Sequence, residues 1–276
     1  MIHPNQSPSR ATRSHEIMEL LRLTGGNIKI HALAEAIGVT EETIRRNVKR
    51  MSDEGLVHKV HGAVQLVDTK IEQSFSDRMA EAPDAKRRIA AHVASRVPHG
   101  ASLFLDIGST TAYIAQALQG HSELFIVTNS VAVAHSLSAR NGNRVFMPGG
   151  ELRAHDGGIF GVDALEFVKG FRTDFAILSA AAINAQKGIL IFDLEEAKFS
   201  RAILNRATTR ILAADSTKFG RSAPISLADA HLLDLLVTDA APPEDLAGMF
   251  ASMETEVKIA SKRTPMLKAP TRKENK

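Results

Sequence analysis

A chain of 276 residues, 44% of them apolar, has room for one small and one larger globular domain with ample core. It holds no cysteine, which excludes disulfides, thiolate metal sites and a cysteine nucleophile. No window is apolar enough to cross a bilayer, the N-terminus lacks a signal-peptide core, and a cytoplasmic protein is expected. The net charge of +3 is unevenly spread: residues 1–67 carry +2, residues 68–257 carry −5 and residues 258–276 carry +6. The basic character therefore comes largely from the tail and says little about DNA by itself.

Taken in order, residues 1–10 are polar and hold two prolines, as a disordered end does. Ile17, Leu20, Leu21 and Leu23 mark a first helix over 13–23, stopped by Gly25-Gly26. Ile30, Leu33, Ala34 and Ile37 form a short amphipathic helix, and Gly38 suits its C-terminal cap. Thr40 is a good N-cap for the next helix, with Glu41 and Glu42 where the dipole favours negative charge. Ile44, Val48 and Met51 make its packing stripe, and Arg45, Arg46, Lys49 and Arg50 fall mostly off it. Residues 56–60 and 63–67, broken at His61-Gly62, read as a two-stranded wing. The order of cap, glycine turn, cationic helix and basic-tipped hairpin predicts a winged helix-turn-helix over 10–67 that reads DNA. The plainer alternative is a solvated helix face. Candidate DNA contacts are Thr40, Thr43, Arg45, Arg46, Lys49 and Arg50 on the helix, and Lys59 and His61 on the wing.

Residues 68–83 show little periodicity and read as a linker, in which Ile71 and Phe75 are able to dock. Ile89, Val93 and Val97 then mark a helix ended by Pro98-His99-Gly100. From there the pattern alternates. Apolar strand runs at 101–105, 124–127, 144–147, 175–178, 211–214 and 235–237 are interleaved with helices, including one over 194–207. Near-continuous apolar strands between helices predict an open, mostly parallel α/β sheet, here within a domain over 84–257. A basic, disordered tail is expected over 258–276.

Ligands of such sheets sit at the carboxyl ends of the strands. Gly108-Ser109-Thr110-Thr111 follows a strand and opens a helix, so backbone N–H groups and hydroxyls converge where the dipole is positive. That is an anion site, and phosphate is the commonest biological anion to use one; a capped helix start without ligand is the plainer alternative. Neither a Walker loop nor a three-glycine dinucleotide fingerprint is present. Asn129, Gly149 and Gly150 stand at equivalent strand ends. Lys198 and Lys218 are candidates for the compensating charge, although Lys198 also suits a surface ion pair within Glu195-Glu196-Ala197-Lys198. Asp215, Ser216, Thr217 and Lys218 on one strand-end loop suit a polyol phosphate, or an ordinary Asx turn.

Both halves resemble the DeoR family of bacterial transcriptional regulators. The head is similar in LAEAIGVTEETIRRNVKRMSDEGLVHKVHGA, and the second domain in DIGSTTAYIA, VTNSVAVA, MPGG, LEEAKFSRAIL, AADSTKFG and LLVTD. The resemblance spans roughly residues 13–240 and implies a sensor with the fold of ribose-5-phosphate isomerase-like proteins. It implies a repressor of a sugar or polyol catabolism operon that responds to a phosphorylated intermediate. Thr43, Arg45 and Arg46 match the operator-reading segment, and Asp106 and Gly108 to Thr111 match the effector loop. Asn129, Gly149, Gly150, Lys198, Asp215 and Lys218 match the other effector-side motifs. Three departures stand out: Asn47 where the family has Asp, Ile107 where it has a small or polar residue, and Asn184 where it has an acid.

The reading is therefore a non-enzymatic regulator without cofactor or metal, whose partners are operator DNA, a phosphorylated sugar or polyol and further copies of itself. Paired heads on repeated half-sites multiply affinity. The competing reading is a sugar-phosphate isomerase with an appended head, for which Asp106, Asp215 and Glu195 are candidate bases. Whether the ligand weakens or strengthens DNA binding is a coupling sign that sequence does not set.

Overall fold

The computed structural model describes residues 10–24, 27–53, 56–60, 62–66, 72, 74–227 and 230–260. His61, Gly25-Gly26, Ile71 and the tail beyond residue 260 lie outside the described residues. The chain divides into two compact units, residues 1–69 and 70–276.

The first unit contains α1 (Arg10–Leu23), β1 (Asn27–Lys29), α2 (Ile30–Ile37), α3 (Glu41–Asp53), β2 (Val57–Val60) and β3 (Ala63–Leu66). Gly38 takes φ +73 and returns its amide to Ala34 and Glu35, a left-handed cap that lets α3 leave α2 at an angle. Ile17 and Leu21 of α1, Leu33 of α2, Ile44, Val48 and Met51 of α3, and Val57 and Val64 of the hairpin share one buried core. The predicted helix pair and wing are present. The additional strand, β1, pairs antiparallel with β3 to give the order β1-β3-β2. Three residues are too few to show a period, so nothing in the sequence marked it.

The second unit begins with α4 (Phe75–Ala80), α5 (Pro83–Ala94), β4 (Ser102–Leu105), α6 (Ser109–Ala117), β5 (Phe125–Val127), α7 (Val131–Leu137) and β6 (Arg144–Phe146). It continues with α8 (Val162–Lys169), β7 (Thr173–Leu178), β8 (Ala182–Asn184), β9 (Gly188–Ile191), α9 (Leu194–Leu204) and β10 (Ala207–Ala213). It ends with β11 (Ile225–Ser226), β12 (Leu235–Thr238), α10 (Glu244–Ser252) and β13 (Glu256–Ile259). Seven strands in the order β13-β12-β10-β7-β4-β5-β6 pair in parallel throughout. The buried strand residues feed two cores. α5, α6 and α7 cover one face through Ile89, Val93, Ile114 and Val133. α8, α9 and α10 cover the other through Val168, Phe199, Ile203 and Phe250. The α/β expectation holds, with helices on both faces.

Three details differ from the sequence reading. α4 lies within the stretch read as linker: Ser74 caps it by accepting from the Asp77 amide, and the helix is too short for a visible period. β8, β9 and β11 make a separate three-stranded antiparallel sheet that was not anticipated. β13 carries Lys258 and Ile259 into the main sheet, with Ala260 buried behind them, so ordered chain runs past the expected start of the tail. Among the described residues no helix is long and apolar enough to cross a membrane.

Candidate nucleic-acid interface and anion site

On α3, Thr40 accepts from the Thr43 amide at 3.3 Å, and the two hydroxyls lie 2.9 Å apart. Arg45, Arg46 and Lys49 are exposed, and Arg45 forms an ion pair with Glu41 at 2.7 Å. Lys59 is exposed on β2. Arg50 differs from its three neighbours. It is half-buried and donates to Ser14 Oγ of α1 at 2.6 Å, so it ties α3 to α1. Asn47 donates to the Thr43 carbonyl at 2.8 Å and accepts from Arg50 at 3.5 Å. An aspartate there would keep the second contact and lose the first.

In the second unit the strand order reverses between β4 and β7, the point at which an open parallel sheet leaves a crevice beyond its strand ends. Gly108 heads α6 there with φ +151 and no capping side chain. A β-carbon on it would stand 2.1 Å from Ser179 Oγ, just past β7. Ser109, Thr110 and Thr111 are buried, and Thr111 Oγ1 donates back to the Gly108 carbonyl at 3.0 Å. The uncapped amides and the helix dipole together favour an anion. Ile107 is buried against Gly158 of the loop after β6, where a β-carbon would meet Ile107 Cδ1 at 2.7 Å.

Asp106 is buried, accepting from the Ile107 amide at 2.8 Å and from Ser200 Oγ at 2.6 Å. Burial pushes its carboxyl up to about 6, against the pull of those two hydrogen bonds. Asn129 follows β5 and is fully buried, yet neither atom of its amide has a hydrogen-bond partner among the described residues. It lies near enough to Asp106 to favour the charged carboxylate without making a bond of ordinary geometry. A buried unpaired amide costs about 1–3 kcal/mol.

Gly149 and Gly150 are exposed after β6, Gly150 at φ +140 with Ile159 behind it. The loop they open is pinned across the strand ends. The Arg153 amide donates to the Gly158 carbonyl at 2.8 Å, and the Ile159 amide donates to the Asn129 carbonyl at 2.9 Å. Arg153, which the sequence reading missed, donates to Asp156 through Nε at 3.0 Å and to Glu196 at 2.9 Å, over the Phe160 ring. Burial, with the Glu72 and Asp106 carboxylates, pushes Glu196 up against Arg153. The signal was Arg-x-x-Asp starting three residues past Gly150, a spacing that lets one turn close a fork-to-carboxylate contact.

The two lysines diverge. Lys198 is exposed and paired with Glu195 at 2.6 Å, the surface ion pair that was its alternative reading. Its side chain is not brought to the crevice. Lys218 is buried and meets Glu81 at 2.6 Å. Asp215 accepts from Thr217 N at 3.0 Å while its Oδ2 has no partner among the described residues. Asn184 accepts from the Gln186 and Lys187 amides at 3.0 and 3.1 Å, so it caps the β8–β9 turn, a task either acid or amide performs.

A winged head with a cationic helix, joined to a doubly wound unit with a candidate anion site at its strand ends, has the layout of a ligand-sensing transcriptional regulator. Residues 13–70 match the DeoR-like helix-turn-helix domain and residues 81–240 match the DeoR C terminal sensor domain. The chain belongs to the DeoR family. The Glycerol-3-phosphate regulon repressor of Escherichia coli (strain K12) is 37% identical over 247 residues, 90% of this chain and 98% of that protein. The HTH-type transcriptional repressor CsqR of the same organism is 32% identical, covering 88% of this chain and 93% of that one. Both are named repressors, which speaks against the isomerase alternative. Ribose 5 phosphate isomerase A from Neisseria gonorrhoeae overlaps 49% of this chain and 52% of its own at a TM-score of 0.36 and 17% identity, a partial likeness only.

Proposed function

We propose that the protein is a repressor that grips operator DNA with α3 and the wing and is released by a phosphorylated polyol or sugar. The observation that carries it is the uncapped start of α6 at the β4–β7 switch point, with the unpaired Asn129 amide buried beside it. The phosphoryl group takes the Gly108–Thr111 amides. Asn129 and Asp106 take ligand hydroxyls, an arrangement that rewards a hydroxylated ester over phosphate alone. Gly149 and Gly150 let the covering loop approach the ligand closely, and Asp215 and Lys218 complete the far wall. Lys198 stands outside this set.

In the head, Arg46 and Lys49 reach phosphates and base edges, Arg45 joins them on leaving Glu41, and Lys59 holds the flanking backbone. Thr40 and Thr43 set the helix start, and Arg50 holds α3 on α1. The protein acts in the cytoplasm as a homo-oligomer whose paired heads read repeated half-sites. It is not an enzyme. The name of the 37% identical relative makes glycerol 3-phosphate the first compound to try.

Operator fragments selected from genomic DNA by the full-length protein supply the test. Adding glycerol 3-phosphate, or another sugar phosphate from a panel, should release the labelled fragment, with Ser109→Ala raising the concentration required. Tighter DNA binding on adding ligand would reverse the sign of the coupling and overturn the proposal.

A further inference from the structure

Lys218 Nζ and the Arg221 guanidinium converge on one acceptor, the Glu81 carboxylate, each at 2.6 Å and each to a different oxygen. Two cations bidentate on one small anion are what a phosphoryl group receives in a binding site. Glu81 comes from the turn between α4 and α5, not from the sheet. Burial alone would push its carboxyl up, but Lys218 and Arg221 hold it down at about 2, so it is ionised in the folded protein.

The segment carrying Glu81 is held elsewhere by the same crevice. Arg78 pairs with Glu72 at 2.7 Å and lies 3.8 Å from Asp156, the partner of Arg153. Lys86, fully buried, donates to the Arg78 and Glu81 carbonyls. Tyr113 of α6 donates to the Met79 carbonyl at 3.1 Å. α4 is thus strapped to the strand ends by ionic and backbone contacts, and none of its residues is buried.

Lys218 follows β10, two strands along from β4, which puts its loop about 10 Å from the start of α6 at ordinary strand spacing. Released from Glu81, the Lys218 and Arg221 side chains are long enough to cross that gap to the phosphoryl group at the Gly108–Thr111 amides.

We infer that Glu81 is a resident competitor for the cations that recognise the phosphorylated ligand, and that the ligand displaces it and unstraps α4. The inference rests on the phosphate-ester reading above and adds its regulation. The ligand brings a second negative charge to Lys218 and Arg221, so Glu81 and phosphate cannot both keep the pair. Displacement leaves the chain between the head and α5 without its ionic anchor. The ligand favours the unstrapped state only by its greater affinity for it, and the Glu81 contacts set that difference.

Full-length protein titrated with glycerol 3-phosphate by calorimetry, with hydrogen exchange followed over residues 75–81, tests this. Glu81→Gln removes the competing charge and should tighten binding about tenfold, while exchange over 75–81 rises even without ligand. In the wild type the same rise should appear on adding ligand. Equal or weaker affinity in Glu81→Gln, or unchanged exchange over 75–81 while the wild type binds, overturns the displacement and leaves the effector reading standing. Failure of both proteins to bind any phosphate ester in the panel overturns the effector reading itself. Should Glu81→Gln not fold, Glu81→Asp shortens the reach to both cations and carries the same expectation of tighter binding.

Discussion

Ser179 Oγ stands 2.1 Å from the position a β-carbon on Gly108 would occupy, so the end of β7 closes directly on the start of α6. Gly108→Ala meets two separate costs there. The hydroxyl can rotate away, but φ +151 is a conformation that alanine rarely takes, at about 1–3 kcal/mol. Urea unfolding should show that loss, with a Ser179→Gly background recovering the steric part and not the backbone part. DNA binding should survive while release by the phosphate ester fails.

Arg50 and Arg46, one turn apart on α3, should separate in experiment. Arg46→Ala should weaken operator binding and lower the slope of log K against log salt by about one. Arg50→Ala loses the Ser14 contact and should destabilise the head by about 1–2 kcal/mol, with a salt slope close to the wild type. A full unit lost from the slope in Arg50→Ala would place that side chain on DNA.

Asp106 gives the sensing unit a dependence on pH with a definite sign. Its carboxyl ionises near 4 when unfolded and at about 6 when folded, so between those values the folded state holds more protons. Stability from this group is complete below about 4 and falls as pH rises to about 6, by roughly 2–3 kcal/mol. Glu81 runs the other way: its contribution is present above about 4.5 and is lost as pH falls toward 2. The difference in unfolding free energy between wild type and Asp106→Asn, measured at pH 4.5, 5.5 and 7, isolates the first effect. A difference that does not change over that range would contradict it.

Arg153 offers the largest expected loss. Arg153→Ala leaves the Asp156 and Glu196 carboxylates without their shared guanidinium, and breaking such a pair costs about 3–5 kcal/mol. Lys198→Ala removes an ion pair of two half-exposed side chains and should change stability by no more than about 0.5 kcal/mol. Ligand affinity lost in Lys198→Ala would show the side chain swinging inward.

The parts legible in the sequence are those whose signal repeats within a few residues. Ile44, Val48 and Met51 fixed the buried face of α3, and the strand runs fixed the parallel sheet. Gly108 to Thr111 stood out because a glycine, three hydroxyl side chains and a preceding strand fall together. What escaped was set by distant partners. Glu81 and Lys218 are 137 residues apart, and nothing local marks one as the other's counter-ion. Arg50 reads as one more cation in a basic run until Ser14 of α1 is placed beside it. Lys198 and Lys218 were both candidates for the crevice; the i,i+3 spacing to Glu195 already marked Lys198 for a surface pair, and tertiary packing settles that pair.

The strand order also carries a consequence for synthesis. The head closes on Leu66, before any strand of the larger sheet has been made. β4, the first strand of that sheet to be made, has both its neighbours once β7 is complete, but the sheet's far edge waits for β13, about 150 residues after β4, before it is laid down and Ala260 is covered. At about 5–20 residues per second that is roughly 8–30 seconds in which a finished head is tethered to an open sheet on the ribosome. DNA-reading competence therefore precedes ligand responsiveness in each new chain, and a chain stalled late in synthesis would carry the first without the second.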